Sequence, residues 1–245
     1  MTDFFFLSFR PFRQFRRRRR LRKLQRDYYE ATSKNDAVIV DYLRALAETR
    51  DEELASYDRS SKPRALHVGS GGHYLRGWTN TDFEFSGPVD LIMDATTVLP
   101  FRSSSFDYIH SEDFLEHIDI QAGKRFLGEA YRVLKPGGVM RLLTPDLQSL
   151  VRHVYFNRER HHLHWCQSYL AADGPCEALN MHLRMDGEHR FIYDEEFLTT
   201  LLAHAGFSVR RVGYNASPDP FLRYLDLRDF GLNLFLEAQK PGDAH

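Results

Sequence analysis

A few short runs of this chain carry groups able to bind or to react. In Ala65-Leu66-His67-Val68-Gly69-Ser70-Gly71-Gly72 an apolar strand runs into a glycine turn, and in Trp78-Thr79-Asn80-Thr81-Asp82-Phe83 a second short strand ends on a carboxylate. That pairing is how an open α/β sheet holds a nucleoside at the carboxyl ends of its strands. Further on, Asp113, Glu116 and His117 fall at i, i+3 and i+4. On a helix from Asp113 to Ile118, two carboxylates and an imidazole would share one face at that same end of the sheet. Glu188-His189-Arg190-Phe191 and Asn180-Met181-His182-Leu183-Arg184 add two more imidazoles. A histidine ionises near pH ~6.5 and accepts a hydroxyl proton at neutral pH, so His189 and His117 are the candidate general bases, followed by His182.

The spacing between glycines and acid narrows the ligand. A dinucleotide site needs a helix after the glycines to neutralise a pyrophosphate, and it places the ribose-binding acid about 20 residues on. Between Gly72 and the strand near Trp78 lie only His73-Tyr74-Leu75-Arg76-Gly77, roughly one helical turn. A cofactor without phosphates has no need of the helix. Its carboxylate can sit on the N–H groups of the turn while its ribose diol meets Asp82, and S-adenosylmethionine fits that description.

The elements that must position these groups read as alternating strands and helices. Val89 to Asp94 has the pattern of a buried strand ending in an acid, and Leu99-Pro100-Phe101 with Ser103-Ser104-Ser105 forms a loop into a strand from Phe106 to Ser111. Apolar residues at helical spacing from Arg125 to Leu134 predict a helix, which Lys135-Pro136-Gly137-Gly138 stops before a strand from Val139 to Thr144. Asp194 to His204 reads as an amphipathic helix ended by Ala205-Gly206-Phe207, and Ser208 to Tyr214 and Asn233 to Lys240 as two strands with a long connection. The interval from Val151 to Arg190 lies where a doubly wound sheet carries its substrate cap. Its Tyr155, Phe156, Trp165 and Tyr169, mixed with polar groups, suit sugars or planar ligands. The run His161-His162-Leu163-His164 is read as a surface face, because three ligands within four residues converge poorly on a tetrahedron.

The ordered series Gly69-Ser70-Gly71, Asp82, Asp94, Leu99-Pro100-Phe101, Phe106-Asp107, Leu115-Glu116-His117 and Leu134-Lys135-Pro136-Gly137-Gly138 resembles the class I S-adenosylmethionine-dependent methyltransferases over roughly Arg64 to Lys240. In particular it resembles a bacterial subgroup whose first motif runs straight into Gly-Trp-x-Asn-x-Asp. The chain departs from that family at His67, where an acid or Asn is usual, and at Ser70, where Cys is frequent. The resemblance implies a Rossmann-like, doubly wound, seven-stranded α/β sheet whose last strand enters antiparallel, preceded here by an N-terminal helical extension. It implies the backbone of Gly69, Ser70 and Gly71 around the methionine moiety, Asp82 on the ribose, Phe83 beside the adenine, Asp94 and Ala95 at the adenine edge, and Ser111 near the sulfonium. Asp113, Glu116 and His117 also resemble the D/E-x-x-E-H element of ubiquinone-pathway O-methyltransferases and small-RNA 2′-O-methyltransferases. There a downstream histidine, here His189, completes a divalent-metal site, so a metal is a possible second cofactor.

Length and composition bound the rest. At 245 residues and 42% hydrophobic content the chain can bury a full core. No run approaches the ~18 apolar residues of a membrane span. Cys166 and Cys176 lack metal or redox spacing and read as free thiols, so a cytoplasmic enzyme is expected. The net charge of −1 hides a basic end in which Arg10, Arg13, Arg16 to Arg20, Arg22, Lys23 and Arg26 are interleaved with phenylalanines. That arm suits an anionic membrane surface, such as the inner membrane face, a nucleic acid or an acidic partner protein, or else reads as a solvated, partly helical arm with its aromatics tucked onto the domain. Residues 1–62 are therefore expected to form the arm and N-terminal helices, and 63–245 the catalytic domain with its cap at about 151–190. The expected reaction is O-methylation of a sugar, glycolipid or secondary-metabolite hydroxyl, the acceptor being a small molecule or glycan rather than nucleic acid. The alternatives are a catalytically idle fold docking through its arginine arm and an RNA 2′-O-methyltransferase.

Overall fold

A computed structural model describes residues 63–84, 88–159, 172–227 and 231–242. The arginine arm, the predicted N-terminal helices, and Trp165, Tyr169, Cys166 and the His161-His162-Leu163-His164 run lie outside the described residues. Seven strands form one sheet: β1 (Ala65–Val68), β2 (Thr79–Asp82), β3 (Leu91–Ile92), β4 (Phe106–Glu112), β5 (Leu134–Pro145), β6 (Ser208–Arg211) and β7 (Asn233–Gln239). Their order is β3-β2-β1-β4-β5-β7-β6. The first five pair in parallel, and β7 runs antiparallel to both β5 and β6. This is the Rossmann-like sheet with an antiparallel last strand that the sequence predicts.

The helices are α1 (Ile120–Val133), the single turn α2 (Leu147–Ser149), α3 (Pro175–Arg184) and α4 (Glu195–His204). In α1 the side chain of Asp119 accepts from the N–H groups of Gln121 and Ala122, and the buried residues Ala122, Phe126, Leu127, Ala130 and Val133 form one stripe. That stripe meets Leu66, Ile109, Met140, Leu198 and Leu202 in the main core. The Leu99-Pro100-Phe101 loop is fastened to the same helix. Glu129 accepts from Leu99 N–H at 2.7 Å, and Arg132 donates to the carbonyls of Phe101 at 2.8 Å and Leu99 at 3.0 Å.

Several local outcomes differ from the sequence reading. The strand expected over Val89 to Asp94 pairs only at Leu91–Ile92, because Asp90 turns its carboxylate to Asn80 and Asp94 caps its own loop. The Lys135-Pro136-Gly137-Gly138 segment lies within β5, whose pairing with β4 begins at Leu134 and shifts register between Phe106 and Tyr108. Asp107 explains the anchorage there: its carboxylate accepts from Lys135 Nζ at 2.7 Å and from Arg64 N–H at 2.8 Å. Asp113 to Ile118 is not an α-helix. Asp113 adopts a left-handed φ of 48°, and only Leu115–His117 form a 3-10 turn.

The second face of the sheet carries an uninterrupted polar rank. Register aligns Asn80 with His67, His67 with His110, His110 with Arg141, Arg141 with Glu237 and Glu237 with Arg210, and partners on adjacent strands project to the same side. Arg141 is fully buried and all five of its N–H groups are used: two on Asp226, one on Glu237 at 3.0 Å, and one each on the carbonyls of Ala216 and Gly213. Removing the guanidinium would leave the buried Asp226 carboxylate without its cation and Glu237 with Arg210 alone, and breaking a buried pair in this way typically costs about 3–5 kcal/mol. Arg141→Met is therefore expected to lower the unfolding free energy by about that amount in urea titration, and a change under ~1 kcal/mol would contradict the network's role.

Candidate active site

The turn after β1 is shaped by its glycines. Gly69 and Gly71 have φ values of +68° and +48°, a region that suits glycine. A Cβ on Gly69 would lie 2.8 Å from Phe114 Cβ, so the turn is pressed against the residue that follows β4 and Asp113. A Cβ on Gly71 would meet nothing within 4 Å among the described residues. Ser70 N–H donates to Thr81 C=O at 3.0 Å, and Gly71 N–H to Asp82 Oδ2 at 2.7 Å. The acid at the end of β2 thus holds the turn directly, and its Oδ1 accepts from Glu84 N–H.

Asn80 fixes the return of the chain. Its amide donates to the carbonyls of Leu75 and Trp78 and to Asp90, while its oxygen accepts from Leu75 N–H at 2.8 Å and faces His67 Nδ1 at 3.1 Å. Asp90 also accepts from the Tyr74 hydroxyl at 2.9 Å. The five residues between turn and strand are therefore bound at both ends without a helix.

A cavity of about 700 Å³ opens at the carboxyl ends of these strands, lined by the glycine turn, Glu112 and Asp113 after β4, Glu116 and His117, and His182, Glu188 and His189 from the cap. The cap is seated by a small separate core, where Val154, Ala172 and Ala178 are buried with Leu150 and with Leu232, the residue before β7. Its approach to the sheet turns at Met185 and Asp186, with left-handed φ values of 39° and 54°. Arg190 N–H then reaches Glu116 C=O at 2.7 Å, which brings His189 beside His117 with ring centroids 5.0 Å apart. His189 Nδ1 lies 2.8 Å from the His182 carbonyl. A carbonyl only accepts, so Nδ1 carries the proton and Nε2 keeps its lone pair. Burial, with His117 next, lowers the His189 pKa below its ordinary 6.5. Burial and His189 also lower that of His182, to about 4. Both rings are neutral at pH ~7.

Of the residues singled out in the sequence, the cavity gathers His67, Gly69, Ser70, Gly71, Asp113, Glu116, His117, His182 and His189. Asp82 stands behind the turn it holds. Phe83 is 69% exposed, Asp94 accepts from Thr96 N–H and Oγ1, and Ala95 is buried; none of these three lines the cavity. Ser111 is buried one residue before Glu112, and its Oγ has no hydrogen-bond partner among the described residues. Glu116, His117 and His189 bring one potential ligand atom each within 4.8 Å of the others, despite the missing helix. The sequence reading overlooked His73, His110 and Glu112. The available signal was parity: in Phe106-Asp107-Tyr108-Ile109-His110-Ser111, His110 shares its strand face with Tyr108 and sits opposite His67.

Gly69→Ala is expected to destabilise the protein by about 2 kcal/mol or more, since it combines a left-handed backbone with the Phe114 contact. Gly72→Ala, whose Cβ meets nothing within 4 Å, serves as its control. Equal melting temperatures for the two variants would refute this account of the turn.

No curated protein matches the chain. Solved structures similar to it include a SAM-dependent methyltransferase from Archaeoglobus fulgidus, 16% identical with a TM-score of 0.48 and covering 80% of this chain and 94% of that one. The YcgJ protein of Bacillus subtilis is 12% identical with a TM-score of 0.46, covering 80% and 99%. A SAM-dependent methyltransferase from Methanosarcina mazei is 20% identical with a TM-score of 0.44, covering 78% and 98%. Residues 21–212 match a family model described as a methyltransferase domain, and with that match, most of its length, the chain belongs to the S-adenosylmethionine-dependent methyltransferases.

Proposed function

We propose that this methyltransferase acts on the hydroxyl oxygen of a sugar, glycolipid or secondary metabolite, with His189 as general base, within the Gly-Trp-x-Asn-x-Asp subgroup. The observation carrying the reading is the single cavity shared by the glycine turn and the His117–His189 pair. The residues fit the donor. The glycine turn lines the cavity, its Ser70 and Gly71 N–H groups bonded to Thr81 and Asp82, and the Asp82 carboxylate, with two of its roughly four acceptor positions used by Gly71 and Glu84, retains capacity for a diol. When bound, S-adenosylmethionine supplies a methyl group on a positively charged sulfur, open to in-line displacement. Gly69, Ser70 and Gly71 would hold its methionine end, Asp82 its ribose, Phe83, Asp94 and Ala95 its adenine, and Ser111 would lie beside the sulfur.

The cap's part is to orient the acceptor and exclude water, which supplies much of the rate in a displacement of this kind. His189 Nε2 takes the acceptor proton while Nδ1–H stays on the His182 carbonyl, so the ring keeps its orientation through the transfer. Glu116 and His117 position it, the former through its carbonyl bonds to Arg190 and Phe191. A divalent ion held by Glu116, His117 and His189 is the second reading, favoured by their convergence within 4.8 Å. It would lower the pKa of the acceptor hydroxyl instead. The arginine arm suits peripheral attachment to an anionic membrane surface in the cytoplasm, or an acidic partner. Among the described residues no helix is long and apolar enough to cross a membrane.

S-adenosylhomocysteine is expected to raise the melting temperature of the wild-type protein and to lose that effect in Asp82→Ala; the absence of any shift in the wild type would overturn the donor site. In a panel of hydroxylated sugars and glycolipids with labelled donor, His189→Ala should lower kcat by about 10²–10⁴-fold while S-adenosylhomocysteine affinity is retained. The rate should fall as pH drops through the His189 pKa, placing the acid limb below pH 6.5. Activity abolished by chelator and restored by divalent cation would favour the metal reading over the base.

A further inference from the structure

A second group of imidazoles, not used by the proposed methyl transfer, meets where the glycine turn leaves β1. His67 on β1 and His110 on β4 are register partners, and His73 returns to them from just beyond Gly72. The His67 ring centroid lies 5.0 Å from that of His110 and 5.4 Å from that of His73. One nitrogen from each ring falls within 4.8 Å of the other two. Glu112 adds a carboxylate, its Oε2 3.6 Å from His110 Nε2 and 3.9 Å from His73 Nδ1. That carboxylate is aimed by Leu227 N–H, which donates to both of its oxygens at 3.0 and 3.1 Å.

The protonation pattern is that of ligands rather than of an ion pair. The Asn80 amide nitrogen is committed to carbonyls and a carboxylate, so the atom facing His67 Nδ1 is its oxygen, and His67 must donate. Its Nε2 lone pair is left for another partner, the outer-shell arrangement that fixes the tautomer of metal-binding histidines. His110 is 0% exposed, and neither of its ring nitrogens has a hydrogen-bond partner among the described residues. A buried polar group in that condition is costly unless something outside the protein satisfies it. The neighbouring Arg141 charge is offset by Asp226 and Glu237.

We propose that His67, His73 and His110, with Glu112 beside them, form a binding site for a late first-row divalent cation of the zinc type. Three imidazoles and one carboxylate suit zinc, cobalt or nickel rather than magnesium or calcium. Bonds of about 2 Å in a tetrahedron place ligand atoms roughly 3.3 Å apart, so closure needs side-chain movements of about 1 Å. The ion would join two central strands to His73, and thereby fasten the far end of the glycine turn to the sheet. Through His67, His73 and Glu112 the site opens on the same cavity as Glu116, His117 and His189, but it uses none of those three residues and does not depend on the donor reading.

The test is titration of the purified full chain, without affinity tag, with Co²⁺ alone, followed by visible absorption. The wild-type protein should develop the intense d–d bands of tetrahedral Co²⁺, competed away by Zn²⁺. His73→Ala should weaken this binding at least about 10-fold to 100-fold, whereas His189→Ala should leave it unchanged. His73→Cys, which keeps a ligand at the position, should bind and add a thiolate-to-cobalt charge-transfer band. Absence of Co²⁺ binding by the wild type, unaltered affinity in His73→Ala, loss of the bands in His189→Ala, or no thiolate band in His73→Cys would each overturn the proposal. S-adenosylhomocysteine binding measured on the same samples separates failure of this site from failure of the donor site.

Discussion

Asn80 is the residue through which the two halves of the turn region hold each other. Its short amide replaces the helix that a longer connection would need: one end takes Leu75 N–H and faces His67, the other reaches Leu75, Trp78 and Asp90. A buried amide with both ends occupied fixes orientation as well as distance, because rotating it would set donors against donors. The glycine turn, the acid closing β2 and the lead into β3 all take their positions from this point. The cavity exists where it does because the loop beside it is only five residues long and still rigid.

The same amide begins the polar rank that crosses the sheet. From Asn80 through His67, His110, Arg141 and Glu237 to Arg210, every strand except β3 contributes one polar side chain at one level. Apolar residues would satisfy hydrophobic burial more cheaply at these positions, since buried charge tends to cost more than it returns. What the rank provides is register: a slip of one residue on β5 or β7 would drive Arg141 or Glu237 into the apolar core beneath. Electrostatic matching on one face and hydrophobic packing on the other thus select the same alignment.

Much of this was legible in the sequence for a physical reason. Strand-turn-strand patterns such as Leu66 to Asp82 are local, and so were the glycine turn, the acid that follows it, helix α4 and the two C-terminal strands. Helix α1 begins five residues before the expected Arg125, at a cap on Asp119 that hydrophobic spacing alone does not reveal. The Asp113 to Ile118 segment was read by periodicity, yet its path is decided by Asp113's left-handed backbone and by Glu116's bonds to the cap, contacts more than seventy residues away in sequence. His110 and Glu112 were overlooked on similar grounds. Each is unremarkable in its own strand and gains meaning only when register sets it beside His67 and His73.

The antiparallel strand β7 has a consequence for how the molecule must be assembled. It lies between β5 and β6, so β6, although made earlier, has no neighbour to pair with until the later segment Asn233–Gln239 has been inserted. Until then Arg141 also lacks Glu237, and its guanidinium has nowhere to be neutralised except through the Asp226 loop, itself on the late side of β6. Such distant pairings are slow, and strand edges left open during synthesis invite wrong partners. The seam between β5, β7 and β6 can therefore close only once the last strand has been made, and a nascent chain halted short of β7 would leave β5 with an unpaired edge and Arg141 without Glu237.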